Sequence, residues 1–154
     1  MPTSIPGLRS PYARVGRIVY FGRMLDKIRL HAAGKLPPAW VDNLGDAKPG
    51  MFDTRCCSFL RVRFAEISAR TLAGGATDEE VLAWCFERGG ARTDEECLVW
   101  NHFMMKRGWR DDANERLRFR IAEGGYESQP IQSMFDYIDF DEGRDPVAAQ
   151  AWNG

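Results

Sequence analysis

Thr77-Asp-Glu-Glu-Val-Leu-Ala-Trp84 and Thr93-Asp-Glu-Glu-Cys-Leu-Val-Trp100 are two copies of one pattern, T-D-E-E-x-L-x-W. Each opens with a threonine, has a glutamate three residues on, and runs into apolar residues. That is a capping box: the threonine hydroxyl takes a free backbone N–H of the first turn, and the glutamate reaches back to the cap. Asp78 with Glu79, and Asp94 with Glu95, place negative charge where the helix dipole favours it. Two helices follow, separated by Gly89–Gly90. Their spacing is too short, and the copies too few, for a solenoid. They read as antiparallel neighbours.

Outward from this pair the chain continues as helices. Ser10–Pro11 is a helix start, and a long helical pattern runs from there to about Ala33, with Gly34 as its stop. Leu36–Phe52 carries Pro37–Pro38, Gly45, Pro49 and Gly50 and reads as an irregular connection. Phe59–Arg63 fits a short strand or the start of a helix. Phe64, Ile67 and Leu72 belong to a helix ended by Gly74–Gly75. Asp112-Ala-Asn-Glu115 is a third capping-box candidate, and a last helix begins near Ser128–Pro130. The predicted fold is all-α: a single compact domain of five to seven helices, with a buried central helix at Asp94–Arg107 that is apolar nearly all round. Residues 1–9 read as a flexible lead, 10–143 as the domain and 144–154 as a frayed tail.

The 154 residues suffice for one sizeable core, and 44% hydrophobic with 28% charged residues is ordinary for a globular protein. Net charge is −1, so no global field attracts nucleic acid or acidic membranes. No apolar run has the length of a membrane span and no signal pattern opens the chain. A cytoplasmic protein is expected. Cys56, Cys57, Cys85 and Cys97 show no C-x-x-C spacing, so buried reduced thiols are expected rather than a zinc site. The acids Asp136, Asp139, Asp141, Glu142 and Asp145 do not match a calcium loop: counted from Asp139, Gly143 comes one position early and Gln150 stands where a glutamate should close it. They either meet an arginine surface at Arg116, Arg118 or Arg120, or are solvated. No metal and no cofactor is expected, and no phosphate-loop, dinucleotide or zinc-protease motif occurs.

The informative residues are polar groups on apolar helix faces. At 100° per residue, Ile18, Phe21, Leu25, Ile28 and Ala32 form one stripe, with Arg29 at its edge and Asp26 close by. A buried charge costs several kcal/mol unless paired. Asp26 with Arg29 meets that demand, and Arg23 is left over for an anionic ligand or another acid of the protein. The pair is either an internal salt bridge that fixes packing or part of an anion site. On the second helix Asn101 falls between Cys97 and Met105, and Arg107 beside Trp100. His31 follows Lys27 on the outer side of the first helix.

Five stretches resemble a bacterial domain-of-unknown-function family, number 5069. They are Leu8–Tyr12, Arg23–His31, Arg55–Leu60, Trp100–Asp111 and Phe135–Arg144. The resemblance implies a small soluble protein without an assigned activity, and so no reaction.

The leading functional expectation is recognition of a small anionic molecule, a carboxylate or phosphate, by Arg23, Asp26, Arg29, His31, Asn101 and Arg107. If there is catalysis, Asp26 or His31 is the first candidate for proton transfer. The rival is a non-catalytic interaction module, engaging a protein partner or a second copy through an apolar patch and the acidic C-terminal helix. That module would expose Trp40, Trp109 or Trp152.

Overall fold

Arg14-Val-Gly-Arg-Ile-Val19 departs from the helical expectation. It forms a small antiparallel hairpin, β1 (Arg14–Val15) and β2 (Ile18–Val19), with Arg14 opposite Val19 and Val15 opposite Ile18. Val15, Ile18 and Val19 are β-branched, and Gly16 takes φ +56° at the first position of a two-residue turn. That combination favours a hairpin over a helix. The long first helix therefore shortens to α1 (Phe21–Ala32). The computed structural model describes residues 2–150.

The remaining helices are α2 (Pro38–Val41), α3 (Phe52–Leu60), α4 (Phe64–Leu72), α5 (Asp78–Gly89), α6 (Asp94–Lys106), α7 (Asn114–Gly124), α8 (Met134–Asp141) and α9 (Pro146–Gln150). The expected five to seven become nine among the described residues, because α2 and α9 are single short turns. Phe59–Arg63 is neither strand nor helix start. It is the end of α3, turned by Arg61 at φ +59°. The close approach behind that turn needs Gly89: a Cβ there would lie 1.9 Å from the Leu60 carbonyl oxygen.

Both copies of the repeated pattern cap their helices. Thr77 and Thr93 each accept the backbone N–H three residues on, and Glu96 returns the bond to Thr93 N at 2.9 Å. The third box does not form. Arg107 draws Asp112 outward at 2.5 Å, and Asp111 instead accepts the Gly108 and Ala113 amides ahead of α7. The helix expected to begin near Ser128–Pro130 starts later, as α8, at a capping box of Ser133 with Asp136.

The buried central helix is α1, not α6. Every residue from Phe21 to Ile28 is buried, and the hairpin, α3, α4, α5, α6 and α8 supply the rest of the core. On α6 only the stripe Cys97, Trp100, Asn101 and Met104 is buried, whereas Leu98 and Val99 are about half exposed. Its outer flank is apolar in composition yet exposed at Leu98, Val99 and Phe103. Ile5 and Leu8 of the N-terminal segment are buried, and Thr3 N donates to the Asp141 carbonyl oxygen. Of the expected tail, 151–154 lies outside the described residues. Among the described residues no helix is long and apolar enough to cross a membrane.

Candidate functional site

The charges of α1 divide into two clusters. On one side Asp26 accepts from the Arg9 amide at 3.0 Å and from Arg9 Nε at 2.8 Å, with Arg29 further off at 3.7 Å. Arg29 and Arg9 both reach Asp78 at 2.5 Å. Burial raises the Asp78 carboxyl, but hydrogen bonds from Arg29 and Arg9 outweigh it and hold the pKa below the usual value. Two acids and two arginines close on one another and tie the N-terminal segment to α1 and to the first turn of α5. Asp26 does not take Arg29 as its main partner, because Arg9 arrives from outside the helix with better geometry.

On the other side is a cavity of about 310 Å³. Its walls come from α1 (Tyr20 at the cap, Arg23, Lys27), α2 (Trp40), the turn into α3 (Phe52), the end of α6 (Arg107), α7 (Arg116, Arg120) and α8 (Met134, Tyr137). Of the six expected site residues it gathers Arg23 and Arg107. Asp26 and Arg29 belong to the closed cluster. His31 is exposed at the last turn of α1. Asn101 is spent on the hairpin: its Oδ1 accepts Val19 N at 2.9 Å and its Nδ2 donates to the Arg17 carbonyl at 2.7 Å. A short hairpin has few ladder bonds of its own, and this buried amide completes them.

The cavity floor is a network of buried charge. Lys27 Nζ donates to both oxygens of Asp53 at 3.0 Å. The Tyr20 hydroxyl donates to Asp53 Oδ1 at 2.5 Å and lies 3.4 Å from Nζ, and the Gly45 amide takes Oδ2 at 2.9 Å. Asp53 is fully buried and Lys27 is 4% exposed. Burial pushes the Lys27 ammonium down, further than the attraction of Asp53 lifts it. Burial and Asp53 raise the Tyr20 hydroxyl well above its ordinary value. Tyr20 holds φ +75°, ψ −33°, a sparsely populated conformation for a side-chain-bearing residue and one that collects at functional sites.

Beside it, Arg23 forks onto Glu142 at 2.8 and 2.5 Å, and Trp40 Nε1 and Arg144 join the same carboxylate. Burial raises Glu142, but Arg23 and Arg144 bring it below its usual value. Asp139, also fully buried, accepts from Ser10 at 2.9 Å and is pushed up to about 6, chiefly by burial. Of the C-terminal acids, Asp136, Asp139 and Glu142 turn inward, Asp141 accepts from the Tyr126 hydroxyl, and Asp145 is exposed to solvent as one of the two expected readings has it.

Leu8–Tyr12, Arg23–His31 and Phe135–Arg144 meet here, through Arg9 with Asp26, Ser10 with Asp139 and Arg23 with Glu142. A family model described as a domain of unknown function, DUF5069, matches residues 5–144. The chain belongs to this family. No curated protein matches the chain in a sequence comparison. Membership assigns no chemistry, so the site rests on its own geometry.

Lys27, Tyr20 and Asp53 were missed in sequence, and Lys27 was placed on the outer side of its helix. A signal was present: Tyr20, Arg23 and Lys27 are spaced i, i+3, i+7, one helical stripe. Among the described residues no group of three acids, histidines or cysteines is placed to hold a metal ion. Burial pushes the Cys57 and Cys85 thiols up to about 12, so they are poor nucleophiles.

Proposed function

We propose that the cavity between α1, α2, α7 and α8 binds a small organic anion, a carboxylate or a phosphate. One observation carries this. Five cationic side chains line it, Arg23, Lys27, Arg107, Arg116 and Arg120, against the two carboxylates of Asp141 and Glu142. The chain as a whole carries −1, so positive charge is concentrated at a concavity whose volume of about 310 Å³ suits a small molecule. Lys27, Arg23 and Arg107 are committed to Asp53, Glu142 and the Asp111 and Asp112 carboxylates, which leaves Arg116 and Arg120 at the rim to meet the ligand. Arg116 and Arg120 stand one turn apart on the exposed face of α7 and suit a forked contact with oxyanions. Trp40, Phe52 and Tyr137 offer apolar surface for the body of the ligand. The expected cluster of Asp26, Arg29 and Asn101 is thereby replaced, with only Arg23 and Arg107 retained.

The interaction-module reading has Trp109 and α6 in its favour, with Trp109 49% and Val99 59% exposed. Its acidic half is missing, since Asp136, Asp139 and Glu142 are buried. Trp40 belongs to the cavity wall, and Trp152 lies outside the described residues.

A melting-temperature screen against carboxylates, sugar phosphates and nucleotides tests the binding reading. A ligand at a hundredfold excess over its Kd adds about 2.7 kcal/mol, several degrees for a chain of this size. The rise should shrink at high salt and vanish in an Arg116→Ser, Arg120→Ser double variant. No rise with any anion in the screen refutes the reading.

A further inference from the structure

The floor of the cavity carries more chemistry than binding an anion requires. The chain has 17 arginines and four lysines. Lys35, Lys48 and Lys106 are exposed, whereas Lys27 is buried at the cavity floor. At a position whose only task was to neutralise Asp53, a guanidinium would serve, since its fork matches a carboxylate. An amine differs in one respect: it can give up a proton and attack carbon, which a guanidinium does not do in a protein.

The geometry points to Lys27 as a carbonyl-reactive amine: the cavity takes a small aldehyde or 2-oxo acid bearing a carboxylate or phosphate, and Nζ condenses with its carbonyl to a Schiff base beside Asp53. This rests on the anion-binding reading of the same cavity, because the rim arginines hold the ligand's charge while its carbonyl reaches the floor.

The step balances within the residues present. The Lys27 ammonium passes one proton to Asp53, 3.0 Å away. The freed lone pair attacks the carbonyl carbon, and a second proton moves from nitrogen to oxygen. Asp53 then returns its proton to the hydroxyl, which leaves as water while the C=N bond forms. The nitrogen keeps one hydrogen and its positive charge, and Asp53 ends as the carboxylate counter-ion. Tyr20, whose hydroxyl already donates to Asp53 and lies 3.4 Å from Nζ, holds that carboxylate on the amine. Its strained backbone places the hydroxyl there. Burial lowers the ammonium pKa, in the direction that favours an amine nucleophile.

The test is reductive trapping on the whole native protein. Glyoxylate with cyanoborohydride should leave a carboxymethyl group on Lys27 ahead of Lys35, Lys48 and Lys106, as read by peptide mass mapping. Inorganic phosphate in excess should slow Lys27 labelling, and Lys27→Arg should lose that adduct while the other three lysines label as before. Labelling confined to the exposed lysines overturns the inference. If Lys27 stays unlabelled while anions still raise the melting temperature through Arg116 and Arg120, the inference falls and the binding reading stands. If neutral propanal labels Lys27 as fast as glyoxylate and no anion protects it, the amine stands and the binding reading falls.

Discussion

The two charge clusters of α1 are built from the same residue types and end in opposite places. Arg9, Asp26, Arg29 and Asp78 form a closed square near the surface, with the Arg29 side chain 40% exposed. Arg23, Lys27, Asp53 and Glu142 form pairs whose side chains are at most 5% exposed, and they open onto a cavity. In the first, each charge finds an opposite charge and nothing is left over. In the second, pairing is equally complete at the floor, but rim cations stand above it. A charge on an apolar helix face is thus no guide to a site until its partners are known.

The largest break in that contrast is Asp53→Ala. It leaves Lys27 buried without its counter-ion, which costs about 3–5 kcal/mol. Chemical denaturation should show that loss, and a loss below about 1 kcal/mol would mean that water reaches Lys27 freely.

Asp139 gives the inner cluster a pH signature. Its carboxyl rises from 3.8 to about 6 in the folded state, chiefly by burial, against Ser10, Arg144 and Arg23. The folded state therefore binds its proton more tightly than the unfolded state does. The stabilisation is full below about pH 4 and fades as pH rises through about 6, on the order of 2–3 kcal/mol. Asp78 and Glu142 act the other way, since their lowered values stabilise the fold above the unfolded carboxylate range and lose that as pH falls further. Between pH 4 and 7, Asp139→Asn should flatten the decline in melting temperature. An unchanged slope would show that Asp139 titrates alike in both states.

What was legible in the sequence was local. Thr77 and Thr93 cap their helices because the cap, the glutamate and the first turn lie within four residues of each other. The family was legible in five short stretches. Arg14–Val19 was misread because a helical projection accommodates Ile18 on the same stripe as Phe21, although Gly16 between β-branched residues marks a turn. The site was the least legible part. Lys27 and Asp53 are 26 residues apart, and Arg23 and Glu142 are 119 apart, so the folded chain alone decides which acid meets which base. Asn101 on an apolar face reads either as a ligand contact or as the partner of a loop carbonyl, and its bond to the Arg17 carbonyl in the hairpin turn is of the second kind.

Asn101→Ala tests that assignment. It removes the partners of the Val19 amide and the Arg17 carbonyl. Unsatisfied buried backbone groups make the expected loss about 1–3 kcal/mol. Anion-dependent melting shifts should be unaffected, because Asn101 does not line the cavity. A lost shift with unchanged stability would return Asn101 to the site.

Arg29→Ala is the smallest effect and bears most directly on the contrast. Were Arg29 the sole partner of a buried Asp26, its removal would cost about 3–5 kcal/mol. The structure argues for far less. Arg9 already gives Asp26 its backbone amide, Nε and Nη2, and Asp78 keeps Arg9 at 2.5 Å when Arg29 is gone. A pair this exposed contributes about 0.2–1 kcal/mol, less at high salt. Arg9→Ala removes the residue that bridges both acids, so it should cost more than Arg29→Ala in the same denaturation series. The reverse order would mean that Asp26 is held from within its own helix, and the outer cluster would no longer be a closed square.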